Sequence, residues 1–304
     1  MATTLDAPHR DDALGEEAPR RQGSVAARLS RAVAKGPLNL VLILIGLFWL
    51  LPTVGLLVSS FRSAADNASS GWWTVLTAPA QLTFDSYQSL LGDPRMVSAF
   101  WNTVLITIPS TLGVVLIGAL AAYAFAWIDF PGRDWAFITV VGLLVVPVQV
   151  ALIPVAELYG ALGVFGTIPT VVLFHIAFGL PFAIFLLRNF FAGIPAELLE
   201  AARIDGAGEA RIFLRVVLPI GLPAIASLSI FQFLWVWNDL LIALVFASTD
   251  AAPLTVAIRE QTRQFGANID VIAPGAFISL IVPLVVFFAF QRYFVQGLLA
   301  GAEK

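Results

Sequence analysis

The sequence has no cysteine, only two lysines, Lys35 and Lys304, and only two histidines, His9 and His175. Without thiols, disulfides, thiolate metal sites and cysteine nucleophiles are excluded. One histidine in a polar tail and one in an apolar run cannot build a multi-histidine metal site. A P-loop needs a glycine-rich turn ending in Gly-Lys-Ser/Thr to cradle phosphates, and neither lysine has that context, so ATP is not bound here by that route. Charge is scarce as well: Asp, Glu, Lys and Arg make up 12% of 304 residues, and the net charge of -3 gives no basic footprint for nucleic acid.

What is present is apolar. Hydrophobic residues make up 59% of the chain, more than a compact soluble core could hide, so the composition reads as an integral membrane protein. Residues 1–37 hold six Arg/Lys and five Asp/Glu among Pro, Gly and Ser, and are expected to form a disordered tail. The apolar run 38–61 lies too far from the start for a cleaved signal peptide and reads as a retained first span. Five more runs follow, at 99–127, 135–157, 168–188, 219–247 and 271–292, each long enough to cross the hydrocarbon. Lipid offers no partner for free backbone groups, so all six are expected as helices, and their length rules out barrel strands. An extracytoplasmic loop at 62–98 and a tail at 293–304 complete this division.

An even number of spans puts both termini on one side. With the N-terminus in the cytoplasm, that side holds 13 of the 17 Lys and Arg and the other side only Arg62, Arg95, Arg259 and Arg263, as the positive-inside rule requires. The localisation expected is a multi-pass cell membrane protein with both ends cytoplasmic.

The stretch 195–219, PAELLEAARIDGAGEARIFLRVVLP, is a polar island: no charged residue lies between Glu157 and Arg188, nor between Arg215 and Asp239. Pro195 suits a first helical turn, Glu197 and Glu200 follow where the dipole favours anions, and Gly206 and Gly208 stop the run, which predicts a short helix over about 195–205. A second helical piece is expected over 209–218, ended by Leu218-Pro219. Glu200-Ala201-Ala202, Gly206, and Val216-x-Leu218-Pro219, at these spacings between two spans, resemble the EAA loop of permease subunits in ATP-binding-cassette importers. The ending from Phe290 through Ala302, Asn102-Thr103, Tyr123, the turn Phe130-Pro131-Gly132, and Trp235-Val236-Trp237-Asn238-Asp239 are similar to the carbohydrate-uptake, maltose-type (MalG-like) branch. The likeness runs over about 98–304.

That resemblance implies an all-α membrane protein with six transmembrane helices of the type I importer permease (MetI-like) fold, the permease domain covering 99–292. It implies a non-catalytic subunit that pairs with a sister permease and carries two ATP-binding-cassette ATPase subunits, which would bind the ATP and Mg. An extracytoplasmic sugar-binding protein would deliver an oligosaccharide, of α-glucoside, maltose or trehalose type. Glu200, Ala201, Ala202, Asp205, Gly206, Leu218 and Pro219 would couple to the ATPase, Glu200 through a polar contact that orients the loop and Gly206 through a turn where a Cβ would clash. Gln296 and Gly297 would reach the ATPase from the C-terminal tail. In the outward loops, Trp72 and Trp73, and Arg259 and Gln264 of the segment 248–270, would contact the binding protein.

Gln149, Gln232, Asn238 and Asp239 lie at membrane depth, where polar groups are costly, and are candidates for the translocation path. The alternative for Asn238 and Asp239 is a purely structural tie between helices, and His175 reads as a satisfied interior histidine. Prolines such as Pro109, Pro147 and Pro154 are expected to bend their helices. Other readings of the whole chain are a permease for a polyol or glycerol phosphate, a secondary transporter, and a membrane assembly protein working without an ATPase.

Overall fold

In the computed structural model the backbone is described for residues 25–262 and 268–302, and side chains for 39–262 and 268–291. The chain divides into two units, 1–54 and 55–304. Helix α1, Val25–Ser60, makes up the described part of the first unit and contributes its last turns to the second. It begins inside the stretch expected to be a disordered tail. Residues 25–37 hold four alanines with Arg28, Arg31 and Lys35, strong helix formers, so the helix starts well before the apolar run.

The second unit opens with α2 (Ala64–Ser69), two short 3₁₀ turns and α3 (Asp85–Gly92), all within what was expected to be loop. Helix α4, Pro94–Trp127, starts earlier than the apolar run. Pro94 occupies a first-turn position, where its missing N–H costs nothing, and the Asp93 carboxylate accepts the Arg95 N–H at 2.9 Å.

The expected third span is broken. Helices α5 (Arg133–Leu143) and α6 (Val148–Ala161) meet at 101°. Leu144, Val145 and Val146 close three-residue turns onto Val141, Gly142 and Leu143, and Pro147, which has no N–H to continue the ladder, takes an extended ψ of 134°. Helix α7 is Ile168–Phe191, α8 Ala196–Ile204, α9 Glu209–Ile212 and α10 Leu218–Trp237.

A π turn, Phe213–Val217, welds α9 to α10, so the second loop piece does not end at Leu218-Pro219 but runs on to Trp237. Pro219 cannot donate back to the preceding turn, and the chain widens there, with the Leu218 N–H reaching Phe213 O, instead of stopping. The run expected to continue to 247 breaks after Trp237 and resumes as α11 (Leu241–Phe246). Helices α12 (Leu254–Glu260) and α13 (Ile269–Ala302) follow, the latter carrying helix through the expected tail. Among the described residues, five helical stretches are therefore long and apolar enough to span a membrane, six if the bent pair counts as one.

Helices α4, α7 and α10 form the centre. The register between α4 and α7 rises together, Gly113 facing Ile176 and Gly118 facing Ala183, so the two run parallel. A Cβ on Gly118 would lie 2.9 Å from that of Ala183, and one on Gly179 would lie 2.8 Å from Val114 and 2.9 Å from the Gln232 amide of α10. Such close approach is how helices gain contact in lipid, where apolar burial drives nothing. Gly118→Val is expected to cost about 1–3 kcal/mol, read as a lower midpoint of thermal unfolding in detergent; an unchanged midpoint would contradict the tight seam.

Candidate functional site

The segment between α7 and α10 is built as a braced lever. Ala192, Gly193 and Ile194 turn the chain off the end of α7 by bonding to Arg188, Phe190 and Phe191 carbonyls, and Pro195, extended at ψ 129°, launches α8. Glu197 in the first turn and Arg203 in the last both oppose the helix dipole favourably. Leu199 is fully buried among Phe191, Ile194, Ile212, Phe213 and Val217, so the middle of α8 is pinned to the ends of both neighbouring spans.

Closure of α8 requires glycine for a different reason from the one expected. The Gly206 N–H reaches Arg203 O and the Ala207 N–H reaches Ala202 O, the paired bonds of a Schellman ending, with Ala202 and Ala207 packed on the same core. This geometry needs φ +80° at Gly206. A Cβ there would meet nothing within 4 Å, so the demand comes from backbone conformation and not from a steric neighbour.

Glu200 is exposed, and the side-chain hydrogen bonds within the loop gather on Glu209, itself about half-exposed. Arg203 donates from Nε to Glu209 Oε1 at 3.0 Å and from Nη2 to Oε2 at 3.4 Å, and Nη2 also faces Trp127 O at 3.4 Å. The Tyr123 hydroxyl of α4 donates to Glu209 Oε2. The Trp127 indole N–H donates to Phe191 O at 3.0 Å, tying the same end of α4 to α7. The hydrogen bond to Glu209 raises the Arg203 pKa above its ordinary value, so this cation stays charged. Sequence reading missed the group because Tyr123 lies far from Glu209 along the chain, and Arg203 and Glu209 flank a glycine turn instead of sharing a helix face.

Opposite the pinned side, α8 leaves Glu197, Leu198, Glu200, Ala201, Ile204 and Asp205 exposed, with Ile204 86% accessible. Of the expected coupling residues, Ala202 turns inward, Leu218 is half-buried and Pro219 is exposed. Gln296 and Gly297 lie on the α13 backbone, with their side chains outside the described residues.

At the other end of the bundle, Arg62 is fully buried and organises the segment after α1. Its guanidinium donates to Gln81 Oε1, Asn67 Oδ1, Ser70 O and Oγ, Asp66 O and Thr74 Oγ1 at 2.6 to 3.3 Å. Around this hub Trp72 is half-buried over Gly55, while Trp73 stands exposed, edge-on to it. Arg259, half-buried, lies in the last turn of α12; Gln264 lies outside the described residues.

The four candidates for a path are not brought together as one site. Gln149 is exposed on α6, and exposed Asn238 folds its amide back onto Leu234 O at 2.8 Å. Gln232 is buried in the seam against Gly179. Asp239 is a helix cap: its carboxylate accepts the N–H groups of Ile242 (3.2 Å) and Ala243 (2.9 Å), while its carbonyl accepts Thr255 Oγ1 at 2.6 Å. Asn238 and Asp239 thus satisfy backbone groups locally, which explains why the long apolar run breaks there. His175, fully buried, has its Nε2 3.6 Å from Asp239 Oδ2 and lies edge-on to Trp235; neither ring nitrogen has a hydrogen-bond partner, contrary to the satisfied histidine expected. Among the described residues no three His, Asp or Glu side chains converge as a metal site.

Comparison with known proteins bears on the whole arrangement. The family model described as "binding-protein-dependent transport system inner membrane component" matches residues 95–299. The osmoprotective compounds uptake permease protein GgtD of Synechocystis sp. is 47% identical, over 89% of this chain and 92% of its own length. The alpha-glucoside transport system permease protein AglG of Rhizobium meliloti is 45% identical over 82% and 67%, and the trehalose transport system permease protein SugB of Mycobacterium tuberculosis 36% identical over 74% and 84%. Among solved structures, a chain of a bacterial ABC transporter involved in alginate import shares the fold, with a TM-score of 0.74 at 22% identity, covering 87% of this chain and 98% of that one.

Proposed function

The chain belongs to the family of binding-protein-dependent transport system inner membrane components, and from that premise we propose that it is the permease subunit of an ATP-binding-cassette importer for sugars, with an α-glucoside of maltose or trehalose type as solute. It makes and breaks no covalent bond. Its work is alternating access: a pathway shared with a sister permease opens to one side and then the other, while two ATPase subunits bind and hydrolyse the nucleotide. The charge bias supports a cytoplasmic position for the 192–208 loop and both termini, where α8 would seat on the ATPase. An extracytoplasmic binding protein would dock over the Arg62 hub and Trp73 on the far side.

The observation that carries this reading is the division of α8 into two faces. Leu199 anchors the helix to the ends of two spans, while Leu198 and Ile204 project outward with Glu200 between them. A rigid helix fixed at its back, with Leu198, Ala201 and Ile204 set among acidic side chains at its front, transmits a push, whereas a loose loop would dissipate it. Ile204→Glu is therefore expected to leave folding within about 0.5 kcal/mol of wild type, because the side chain touches little. The same change should reduce recovery of the ATPase subunit in a pull-down about tenfold, as loss of a central apolar contact does. Undiminished recovery would overturn the docking assignment. Purified chain that concentrated sugar in vesicles without any companion would instead establish a secondary transporter.

One relative named for uptake of osmoprotective compounds favours a second reading, in which the solute is an osmoprotectant. Binding of a sugar and polyol panel to the cognate binding protein separates the two.

A further inference from the structure

We infer that Glu209 is a positioning residue that locks the α8 lever to α4, so that a displacement of α8 reaches that span as one rigid movement. The inference rests on the reading of α8 as the ATPase-coupled lever. Three rods meet at this carboxylate. Helix α8 arrives through the fork from Arg203, α4 arrives through the Tyr123 hydroxyl, and Glu209 itself is the first residue of the continuous helical stretch ending at Trp237.

Other links between α8 and its surroundings are of a different kind. The chain joins α8 to α7 through the Ala192–Gly193 bend and to α9 through the glycine turn at Gly206, both places where backbone torsions can absorb a push. Leu199 packs against several side chains without direction, and apolar contacts permit sliding. Directed bonds resist it. Among the described residues, the hydrogen bonds joining the loop to α4 run through Arg203 and Glu209, and Arg203 also reaches Trp127 O at the last residue of α4. Tyr123 is buried apart from its edge at Glu209, so loss of that acceptor removes the hydroxyl's hydrogen bond to the loop. Glu209 and Arg203 remain partly solvated, which makes the pair a weak contributor to stability but leaves its geometric role intact.

The test uses the natural absence of cysteine. Spin labels at Ala196→Cys, on the exposed start of α8, and at Asp129→Cys, exposed just beyond α4, report the α8 to α4 distance in the assembled transporter. Pulsed electron resonance is recorded with and without ATP and Mg2+. With Glu209 present, a single distance distribution unchanged by nucleotide is expected, because the two elements travel together. Glu209→Ala should let the distribution shift by about 2 Å or more on adding nucleotide, the scale of packed-helix displacements. Glu209→Gln, which keeps an acceptor oxygen for Tyr123 and Arg203, should restore most of the wild-type behaviour. Should Glu209→Ala fail to fold, Tyr123→Phe removes only the hydroxyl and carries the same expectation.

A distribution in Glu209→Ala that ignores nucleotide, or one in wild type that follows it, would overturn the lock while leaving ATPase docking in place. Failure of the ATPase to co-purify with wild type would overturn the lever reading, and the lock with it.

Discussion

Gly206→Pro is expected to abolish uptake while the protein still reaches the membrane in wild-type amount. Proline fixes φ near -65°, where the α8 ending needs +80°, and removes the N–H that bonds Arg203 O. Both Schellman bonds are then lost, Ala207 leaves its place against Ala202, and the path from Asp205 to Glu209 is redirected. The spans should be untouched, since a side chain at Gly206 points into open space. Gly206→Ala is the informative control. Its Cβ meets open space, so the cost is only that of holding an L-residue in the left-handed region, roughly 1–2 kcal/mol. Alanine should therefore retain a substantial part of the uptake, and proline at least a hundredfold less, the usual reach of a coupling free energy. Uptake in intact cells, normalised to membrane content, checks both. Equal activity of the proline variant and wild type would show that the loop geometry does not matter for transport.

Arg62→Ala is expected to have the second large effect, at the opposite end. All the N–H groups of this buried guanidinium point at neutral oxygens within residues 66–81, so its loss orphans several acceptors at once. Hydrogen bonds to charged groups contribute about 1.5–3 kcal/mol each and an orphaned buried group costs on the order of 1–3 kcal/mol, so the segment should unfold locally even if the bundle stands. Limited proteolysis should then cut within 63–83, where wild type resists. Arg62→Lys keeps the charge but cannot present a planar fork, and should be cut at an intermediate rate. Protection equal to wild type in Arg62→Ala would remove the hub from its organising role and, with it, the reason Trp73 is held out from the surface.

Much of this was legible in the residues. Length and polarity identified the spans, because the hydrocarbon admits only backbone that satisfies itself. Pro195, the acidic first turn and Gly206 marked α8 because caps and left-handed endings depend on side chains only a few positions apart. The same local chemistry could have revealed the breaks at Pro147 and at Asn238-Asp239. It was overridden by apolar run length, which says that a segment can span and not that it is straight.

The relation between distant residues was not legible. Glu200 has the family's place, yet the hydrogen bonds from Arg203 and Tyr123 converge on Glu209, since that depends on Tyr123 arriving from another span. Likewise Arg62 looks like a flanking charge until the chain after it wraps round the guanidinium, and the Asp239 carboxylate looks unpartnered until α11 begins over it.

The sequence alone determined that the chain is built for a membrane, that neither of its lysines stands in a P-loop, and that a short helix interrupts its second half, because each follows from composition or from neighbours along the chain. Only the tertiary structure decided which carboxylate braces that helix, which arginine is buried, and where polar groups in the spans point. Those are contacts between segments far apart in sequence, and helix packing, through close approaches such as Gly118 on Ala183, chooses which side chains meet.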